Sequence, residues 1–211
     1  MLIQGNTMKK EENTEQLILQ AAETEFLEKG FTLAKTTEIA KKAGVTHAML
    51  HYYFRTKENL FEQVFRQKIY LIAGALDTVF DGRLSFKQQL ANLIRTHFEF
   101  LRVNPRLPFF LLNEVYLDEK RRRICFSILM PVLRRVYVNL TAALDAAVQR
   151  GEVRLMRASD LMVSIVSLNI MGFVAQPVMQ AVLNLDDEAM SQFITHRMEE
   201  NLETIWSRLK I

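Results

Sequence analysis

The chain has 211 residues, of which 49% are hydrophobic and 24% charged, and this composition is that of a soluble globular protein rather than a disordered one. Seven Gly and four Pro are few for this length, which favours helix over strand, and the formal net charge of +3 is compatible with nucleic acid without indicating it. The only cysteine, Cys125, excludes an internal disulfide and favours a reducing compartment.

The N-terminus is polar and contains no apolar segment of signal-peptide length. We therefore expect a flexible tail over residues 1–12 and a cytoplasmic protein. A first helix is predicted from Asn13 or Thr14, because either residue can cap it and apolar residues then recur at helical spacing. Gly30 ends that helix in the C-terminal cap position, where a positive φ is common.

Residues 13–56 are predicted to form a three-helix domain. One short helix covers residues 36–42, Gly44 breaks it, and Thr46 caps the next short helix. Apolar positions then continue at helical spacing, so residues 57–82 are expected to form a helix that connects this domain to a second one.

Residues 83–211 are expected to form a larger helical domain, which makes the fold all-α with about nine helices in total. Pro131 is expected to kink or interrupt one long helix. Residues 161–185 carry no charge and are long enough to span a bilayer. Their Ser, Asn, Gln and Pro residues would be costly facing lipid, so we expect burial against a partner chain and no membrane span.

Residues 39–46 meet the demands of a helix-turn-helix, in which two short helices cross steeply around a tight turn. Ala40 is small where the helices touch, and Gly44 tolerates the positive φ of the turn. Apolar residues can fill the corner from both helices, namely Ile39, Ala43, Val45 and Leu50, with Tyr53 at the end. A helical hairpin in an ordinary bundle is the alternative, because short spacings of this kind also arise by chance.

The charge around this segment favours DNA binding. Between Phe31 and Leu60, five Lys and Arg residues oppose two Glu residues, and five minus two gives a local net charge of +3. The preceding residues 11–28 are acidic. A positive field confined to the motif is what phosphate binding requires.

Residues 17–65 share a pattern of residues with one known family, namely Ala21, Ala22, Phe26, Gly30, Phe31, Ile39, Ala40, Ala43, Gly44, Val45, Thr46, Leu50, Tyr52, Phe54, Lys57, Glu58 and Leu60. With these residues the segment resembles the DNA-binding domain of the TetR family of bacterial regulators, without a gap and over about a quarter of the chain. The resemblance implies a DNA-binding transcriptional regulator, more often a repressor than an activator. It also implies a C-terminal domain that binds a small molecule and dimerises.

Three positions depart from the family pattern. Lys35 stands where the family usually has Thr or Ser, Ala48 where it often has Gly, and His51 where it favours Tyr. The expected fold is unaffected, but the family's phosphate contacts cannot simply be transferred to these positions.

The first turn of the second short helix is expected to enter the major groove of an operator in double-stranded DNA. Ala48 and Met49 can touch thymine methyl groups, and His47 can bond a base edge or a phosphate. The predicted DNA contacts are Lys35, Thr36, Thr37, Thr46, His47, Ala48, Met49, His51, Tyr52, Tyr53 and Lys57.

Large apolar residues with a few polar groups on facing helices of the C-terminal domain predict a pocket for a small apolar or amphipathic ligand. Ordinary core packing is the alternative for the apolar members. The candidate pocket residues are His97, Phe98, Leu101, Phe109, Phe110, Asn113, Glu114, Met130, Tyr137, Met162, Ile165, Asn169 and Phe173.

The uncharged helix and the last helix have more apolar surface than one monomer needs, which predicts a four-helix interface in a homodimer. A two-fold dimer would set its recognition helices about one DNA turn apart and implies a near-palindromic operator. The candidate interface residues are Leu168, Met171, Gly172, Ala175, Val178, Met179, Val182, Phe193, Ile194, Met198, Leu202 and Ile205.

An enzyme is not expected, because the four histidines have no metal-ligand spacing, Cys125 has no evident base, and no Gly-rich phosphate loop occurs. No cofactor is expected either. The alternatives are a helical adaptor that binds protein rather than DNA, and a regulator controlled by a protein partner. The basic run Lys120 to Arg123 has no assigned function.

Overall fold

The computed structural model describes the backbone of residues 2–211 and the side chains from Asn13 onward. The described chain is all-helical, as predicted. Its ten helices are α1 (Leu2–Leu33), α2 (Thr36–Lys42), α3 (His47–Phe54), α4 (Lys57–Asp77), α5 (Phe86–Val103), α6 (Leu107–Leu117), α7 (Glu119–Gln149), α8 (Ala158–Val174), α9 (Gln176–Leu183) and α10 (Asp187–Leu209).

The helix α1 is broken near its end, where Gly30 has φ 71° and ψ 167°. This backbone conformation is strained for any residue with a Cβ atom, so the predicted stop at Gly30 is confirmed. Phe31 then folds back and is buried against Phe26 and Phe61, with ring centroids 5.8 and 5.4 Å apart. Helix α1 begins at Leu2, so the predicted start at Asn13 or Thr14 is wrong. The flexible tail expected over residues 1–12 stays a prediction, because Met1 and the side chains of residues 2–12 lie outside the described part.

The helix-turn-helix forms as the spacing predicted. Gly44 has φ 68° in the turn between α2 and α3, and Thr46 caps α3 by accepting a hydrogen bond from the backbone N–H of Met49 at 3.2 Å. Ile39, Ala40 and Leu50 are buried in the corner. The two short helices therefore pack on each other through apolar contacts at this corner.

The contacts divide the chain into two compact units. The first contains Met1–Ile69 and Phe110–Ile128, and the second contains Tyr70–Phe109 and Leu129–Ile211. The chain passes from one unit to the other within α4, within α6 and within α7. The first unit therefore includes a segment of the chain well beyond the predicted helix-turn-helix boundary at residue 56.

The second unit has two apolar clusters. The larger one draws on α4, α5, α7, α8 and α10, with Ile94, Leu140 and Leu144 at its centre. The smaller one, which we call the methionine-rich cluster, has a buried core of Phe98, Leu101, Phe173, Met190 and Ile194. Met179 and Met198 pack against it.

The uncharged segment is two helices and not one, which gives ten helices instead of about nine. Helix α8 ends at Val174, and α9 leaves it at a bend of 61°. Pro177 lies in the first turn of α9, where its missing N–H is harmless, whereas inside a continuous helix it would remove a backbone hydrogen bond and clash with the preceding turn. Pro131, by contrast, lies within α7 without dividing it.

By length and composition alone, α7 could cross a membrane, and α8 and α9 pass the same test only when taken together across their bend. Arg134 and Arg135 are exposed in the middle of α7, and Arg135 pairs with Asp77 at 2.9 Å. Charges at the centre of a span are costly in lipid. The structure therefore gives no support to a membrane span at α7.

Candidate functional site

The recognition helix α3 has two different faces. Leu50 and Phe54 are buried and fix the helix to the first unit, whereas His47, Ala48 and Met49 are exposed in its first turn. His51 and Tyr52 continue that exposed face one turn later. The helix is therefore anchored on one side and presents polar, aromatic and small groups on the other. Tyr53 is half-buried between the two faces.

The starts of α2 and α3 meet at one point of the surface. Thr36 Oγ1 and His47 Nε2 are 3.0 Å apart, and the rings of His47 and His51 are 4.7 Å apart. Lys35 and Thr37 are exposed beside them, and Lys35 caps α2 without a side-chain hydrogen bond. The backbone amides that start α2 and α3 are thus close to a cation and to several hydroxyl and imidazole groups, the kind of surface that binds phosphate.

Lys42 faces away from this surface. It forms ion pairs with Glu25 at 2.8 Å and Glu28 at 3.3 Å, and Lys29 pairs with the same buried Glu25 carboxylate at 2.6 Å. Burial alone would raise the pKa of Glu25, but hydrogen bonds from the two lysines outweigh it and hold that pKa below its usual 4.5. Lys42 therefore joins α2 to α1, which the sequence did not reveal.

Lys57, at the start of α4, is half-buried and not free in solvent. Its Nζ lies 4.6 Å from the ring centroid of Phe31 and 3.4 Å from the backbone oxygen of Thr32. Burial lowers the pKa of Lys57. The ammonium is therefore held in one position near the start of the helix, where the sequence had suggested only a charge beside free amides.

The predicted pocket residues do not form one pocket. His97, Phe98, Leu101, Asn169 and Phe173 come together in the second unit, and the rings of Phe98 and Phe173 are 5.1 Å apart. The others lie elsewhere. Phe109 and Tyr137 are exposed, and Asn113 and Met130 are half-buried on α6 and α7. Met162 and Ile165 belong to the larger core cluster, whereas Phe110 and Glu114 belong to the first unit.

The reason for this error lies in helix orientation. Helical spacing shows which residues share a face but not what that face contacts. Phe110 packs on Phe61 at 5.8 Å, and Phe109, one residue earlier, turns outward with 59% of its surface exposed. Glu114 accepts a hydrogen bond from the backbone N–H of Phe31 at 3.0 Å. All of these contacts join segments that are far apart in sequence.

A buried polar network borders the methionine-rich cluster. Asn169 donates to the backbone oxygen of Ile94 at 3.0 Å and to His97 Nδ1 at 3.2 Å, and its own oxygen accepts from Asn201 at 3.0 Å. Arg197 donates to Asn201 Oδ1 at 2.7 Å. Burial lowers the pKa of His97 to about 4. The imidazole is therefore neutral at physiological pH.

Asn201 and Arg197 were not among the predicted residues. Asn201 is completely buried and shares the core-facing side of α10 with Ile194 and Ile205, at helical spacing. A polar residue at a core position of an amphipathic helix is a signal for a buried network, and the sequence did contain that signal.

Two surface cavities lie in the second unit, of about 600 Å³ between α5 and the end of α7 and of about 520 Å³ between α5 and α10. Neither is lined by a predicted pocket residue. Among the described residues, no group of three His, Cys, Asp or Glu side chains could hold a metal ion. Burial raises the pKa of the Cys125 thiol to about 12, so it is not a nucleophile at neutral pH.

The predicted dimer residues fall into three groups. Met171, Val178 and Val182 are exposed on α8 and α9, as an unpaired interface requires. Ile194 and Ile205 are buried in the core clusters of the same chain, so their assignment to the interface is wrong. The half-buried members are Leu168, Gly172, Ala175, Met179, Phe193, Met198 and Leu202. Val163 and Leu183 are also exposed on the same two helices and were not among the predicted interface residues.

Comparison with known proteins finds regulators that are similar to this chain. Residues 18–64 match the model of the bacterial regulatory proteins of the tetR family. The fatty acid metabolism regulator protein of Bacillus subtilis is 25% identical over 138 residues, which is 65% of this chain and 69% of that protein. The transcriptional activator FasR of Mycolicibacterium smegmatis is 32% identical over 101 residues, 46% of this chain and 44% of its own length.

A solved structure shares the fold at low identity. The transcriptional regulator FadR from Bacillus subtilis, in complex with stearoyl-CoA, superposes with a TM-score of 0.65 and 20% identity. The match covers 89% of this chain and 97% of that one, so it extends over the C-terminal helices as well as the helix-turn-helix. The matched residues 18–64 include α2 and α3, so this part of the chain is a domain of the kind found in bacterial regulatory proteins of the tetR family.

Proposed function

We propose that this protein is a repressor that binds a near-palindromic operator as a homodimer and leaves it when an amphipathic ligand with a long acyl chain binds the second unit. The observation that carries the proposal is the exposed first turn of α3, fixed to its domain by the buried Leu50 and Phe54. A short helix anchored on one side and free on the other is suited to enter the major groove.

The exposed side chains of α3 suggest how bases would be recognised. Ala48 and Met49 are small or apolar groups for thymine methyls, and His47 can bond a base edge. The Thr46 hydroxyl accepts from Met49 N–H in the free protein and keeps its own proton for a phosphate oxygen. Tyr52 is a further candidate for a phosphate contact.

A homodimer through α8 and α9 is supported by the exposed apolar side chains there. Val163, Met171, Val178, Val182 and Leu183 are each at least 47% exposed in the single chain. Apolar surface of this extent on adjoining helices is a liability unless a partner covers it. A second copy of the chain would cover it and bring two recognition helices to one operator.

The ligand site is proposed at the methionine-rich cluster. Met179, Met190 and Met198 are flexible side chains that can rearrange around an acyl chain. The neutral ring of His97 lies at its border and accepts from Asn169 at Nδ1, so its Nε2–H is a donor for the carbonyl end of such a ligand. The relative named as a fatty acid metabolism regulator and the stearoyl-CoA in a similarly folded structure make a fatty acyl thioester of coenzyme A the first ligand to test.

The proposal makes the ligand and the operator compete through linkage. The ligand must bind the free form better than the DNA-bound form, and the operator then weakens ligand binding by the same factor. Cytoplasmic location, where both partners occur, is part of this proposal.

DNA binding is tested by fluorescence anisotropy with DNA from upstream of the gene. Ala48→Asp should abolish specific binding, because it brings a carboxylate into the groove. Gln63→Asp adds the same charge on an exposed position of α4 and should leave binding nearly unchanged. Equal binding by the two variants would contradict the assignment of α3.

The sensing half is tested by titrating stearoyl-CoA into the complex. Release of DNA at micromolar ligand is the expected result, and Phe173→Trp, which fills the cluster, should prevent it. If neither acyl-CoA nor free fatty acid changes operator affinity, a regulator controlled by a protein partner becomes the better proposal. Transcription from the operator in vitro then distinguishes a repressor from an activator.

A further inference from the structure

A cluster of four side chains in the first unit joins Lys57 of the predicted DNA surface to three groups that are not part of that surface. It consists of Phe31, Lys57, Glu114 and Arg121, and we call it the Phe31 cluster. Glu114 comes from α6 and Arg121 from α7, whereas Phe31 and Lys57 belong to the helices next to the predicted DNA surface. The segment Phe110–Ile128 is thereby part of the same compact unit as the helix-turn-helix.

Glu114 is the centre of this cluster. It is buried, one carboxylate oxygen accepts the backbone N–H of Phe31, and the other pairs with Arg121. A Cβ atom built on Gly30 would lie 3.6 Å from the same carboxylate, so the side chain rests directly on the turn after the break in α1. A buried carboxylate with both oxygens bonded fixes the atoms around it more firmly than an apolar contact would.

Two cations lie against the ring of Phe31, the residue whose backbone N–H is bound by Glu114. The Arg121 guanidinium carbon is 4.8 Å from the centroid of Phe31, and Lys57 Nζ is 4.6 Å from it. Two positive groups repel each other so close together, and the charge of Glu114 offsets that repulsion. Lys57 is thereby kept against the ring and the Thr32 oxygen, at the start of α4.

We propose that Glu114 is a positioning residue for DNA binding: through Phe31 and Arg121 it holds the Lys57 ammonium where a backbone phosphate of the operator can reach it. This inference rests on the proposed DNA-binding function. Glu114 itself touches no DNA. Its effect arises because a lysine already held in place loses less side-chain entropy when it binds a phosphate.

The sign of the effect separates this role from simple electrostatics. Removing an acid from a DNA-binding unit raises its net charge and should tighten binding. If Glu114 positions Lys57, Glu114→Gln should instead weaken DNA binding, although it also removes an acid. Losing one phosphate contact should weaken binding by about fivefold to tenfold at moderate salt and lower the slope of log K against log salt by about one.

Phe31→Leu provides a second test that changes no charge. The variant keeps the backbone N–H for Glu114 and most of the apolar volume but removes the ring beneath Lys57. It should lower the salt slope by about one, as Glu114→Gln and Lys57→Met do. The matched control is Glu119→Gln, an exposed acid at the start of α7 that pairs with Arg123 and does not touch the cluster.

The experiment measures operator affinity by anisotropy between 50 and 200 mM salt for the full-length wild type and these variants, each checked for folding by circular dichroism. Glu114→Gln and Phe31→Leu should lose slope and affinity, Glu119→Gln should not, and Glu114→Gln combined with Lys57→Met should be no worse than Lys57→Met. If Glu114→Gln does not fold, Phe31→Leu decides the question.

Two outcomes overturn the inference. One is an unchanged slope in Glu114→Gln or Phe31→Leu. The other is a double variant whose loss is the sum of the single losses, because Glu114 would then act independently of Lys57. A wild type that binds no DNA at any salt would instead overturn the proposed function, and the inference with it.

Discussion

Acidification should destabilise this protein through His97. The imidazole accepts a hydrogen bond from Asn169 at Nδ1, so the neutral ring carries its proton on Nε2. Asn169 cannot turn its amide to help a protonated ring, because its Nδ2 also donates to the Ile94 oxygen and its Oδ1 accepts from Asn201. Burial of the ring lowers the pKa of His97 to about 4. Protonation would in addition set one hydrogen-bond donor against another at Nδ1.

The size and sign of the effect follow from linkage. The pKa of His97 falls from 6.5 in the unfolded chain to about 4 in the fold, so the unfolded chain binds more protons between these values. The stabilising contribution is complete above pH 6.5 and is lost as the pH falls towards 4. Integration gives a loss of about 2 kcal/mol between pH 7.5 and pH 5, and about 3 kcal/mol once both states are protonated.

Urea unfolding followed by circular dichroism at pH 7.5 and pH 5 measures this loss. His97→Gln keeps an acceptor for Asn169 but cannot titrate, so its unfolding free energy should change with pH by about 2 kcal/mol less than that of the wild type. His196→Gln removes an exposed histidine of α10 and should behave as the wild type does. Identical pH dependence in wild type and His97→Gln would refute the reasoning.

Two further predictions concern single positions. Gly30→Ala should lower the free energy of unfolding by about 1–3 kcal/mol, because φ 71° is strained for alanine. Gly74→Ala lies in the interior of α4 with open space around the added Cβ atom, and it should raise that free energy by up to about 1 kcal/mol. Urea titration measures both, and a destabilised Gly74→Ala would contradict this reasoning. Val182→Glu should shift the chain from dimer to monomer in sedimentation experiments. The control Val103→Glu changes an equally exposed valine at the end of α5 and should leave a dimer. A dimeric Val182→Glu would exclude α9 from the interface.

The helix-turn-helix could be predicted because its determinants are local. A positive φ at Gly44, a hydroxyl cap at Thr46 and apolar residues at helical spacing each act within a few residues of the chain. The end of the regular part of α1 at Gly30 is also a local feature, because it depends on the positive φ of that one residue. The bounds of α2 and α3 could therefore be predicted from the sequence to within about one residue.

The predicted pocket failed because its determinants are not local. Phe109 and Phe110 are adjacent and chemically identical, yet one is exposed and the other packs on Phe61 in a distant segment. Glu114 was read as a polar group for a ligand and instead bonds to Phe31, 83 positions earlier in the chain. Periodicity assigns residues to a helix face, and only tertiary structure decides what that face meets.

The placement of Glu114 also bears on how a ligand can change DNA affinity. A ligand in the second unit acts only through arrangements of the chain that differ in their affinity for it. Helices α4, α6 and α7 each have residues in both units. Of these three, α6 contributes Glu114, which fixes the turn at Phe31, and α4 begins with Lys57. If the proposed role of Glu114 holds, a displacement of α6 by about an ångström would break its hydrogen bond to Phe31, since hydrogen bonds weaken steeply with distance, and we expect DNA affinity to fall.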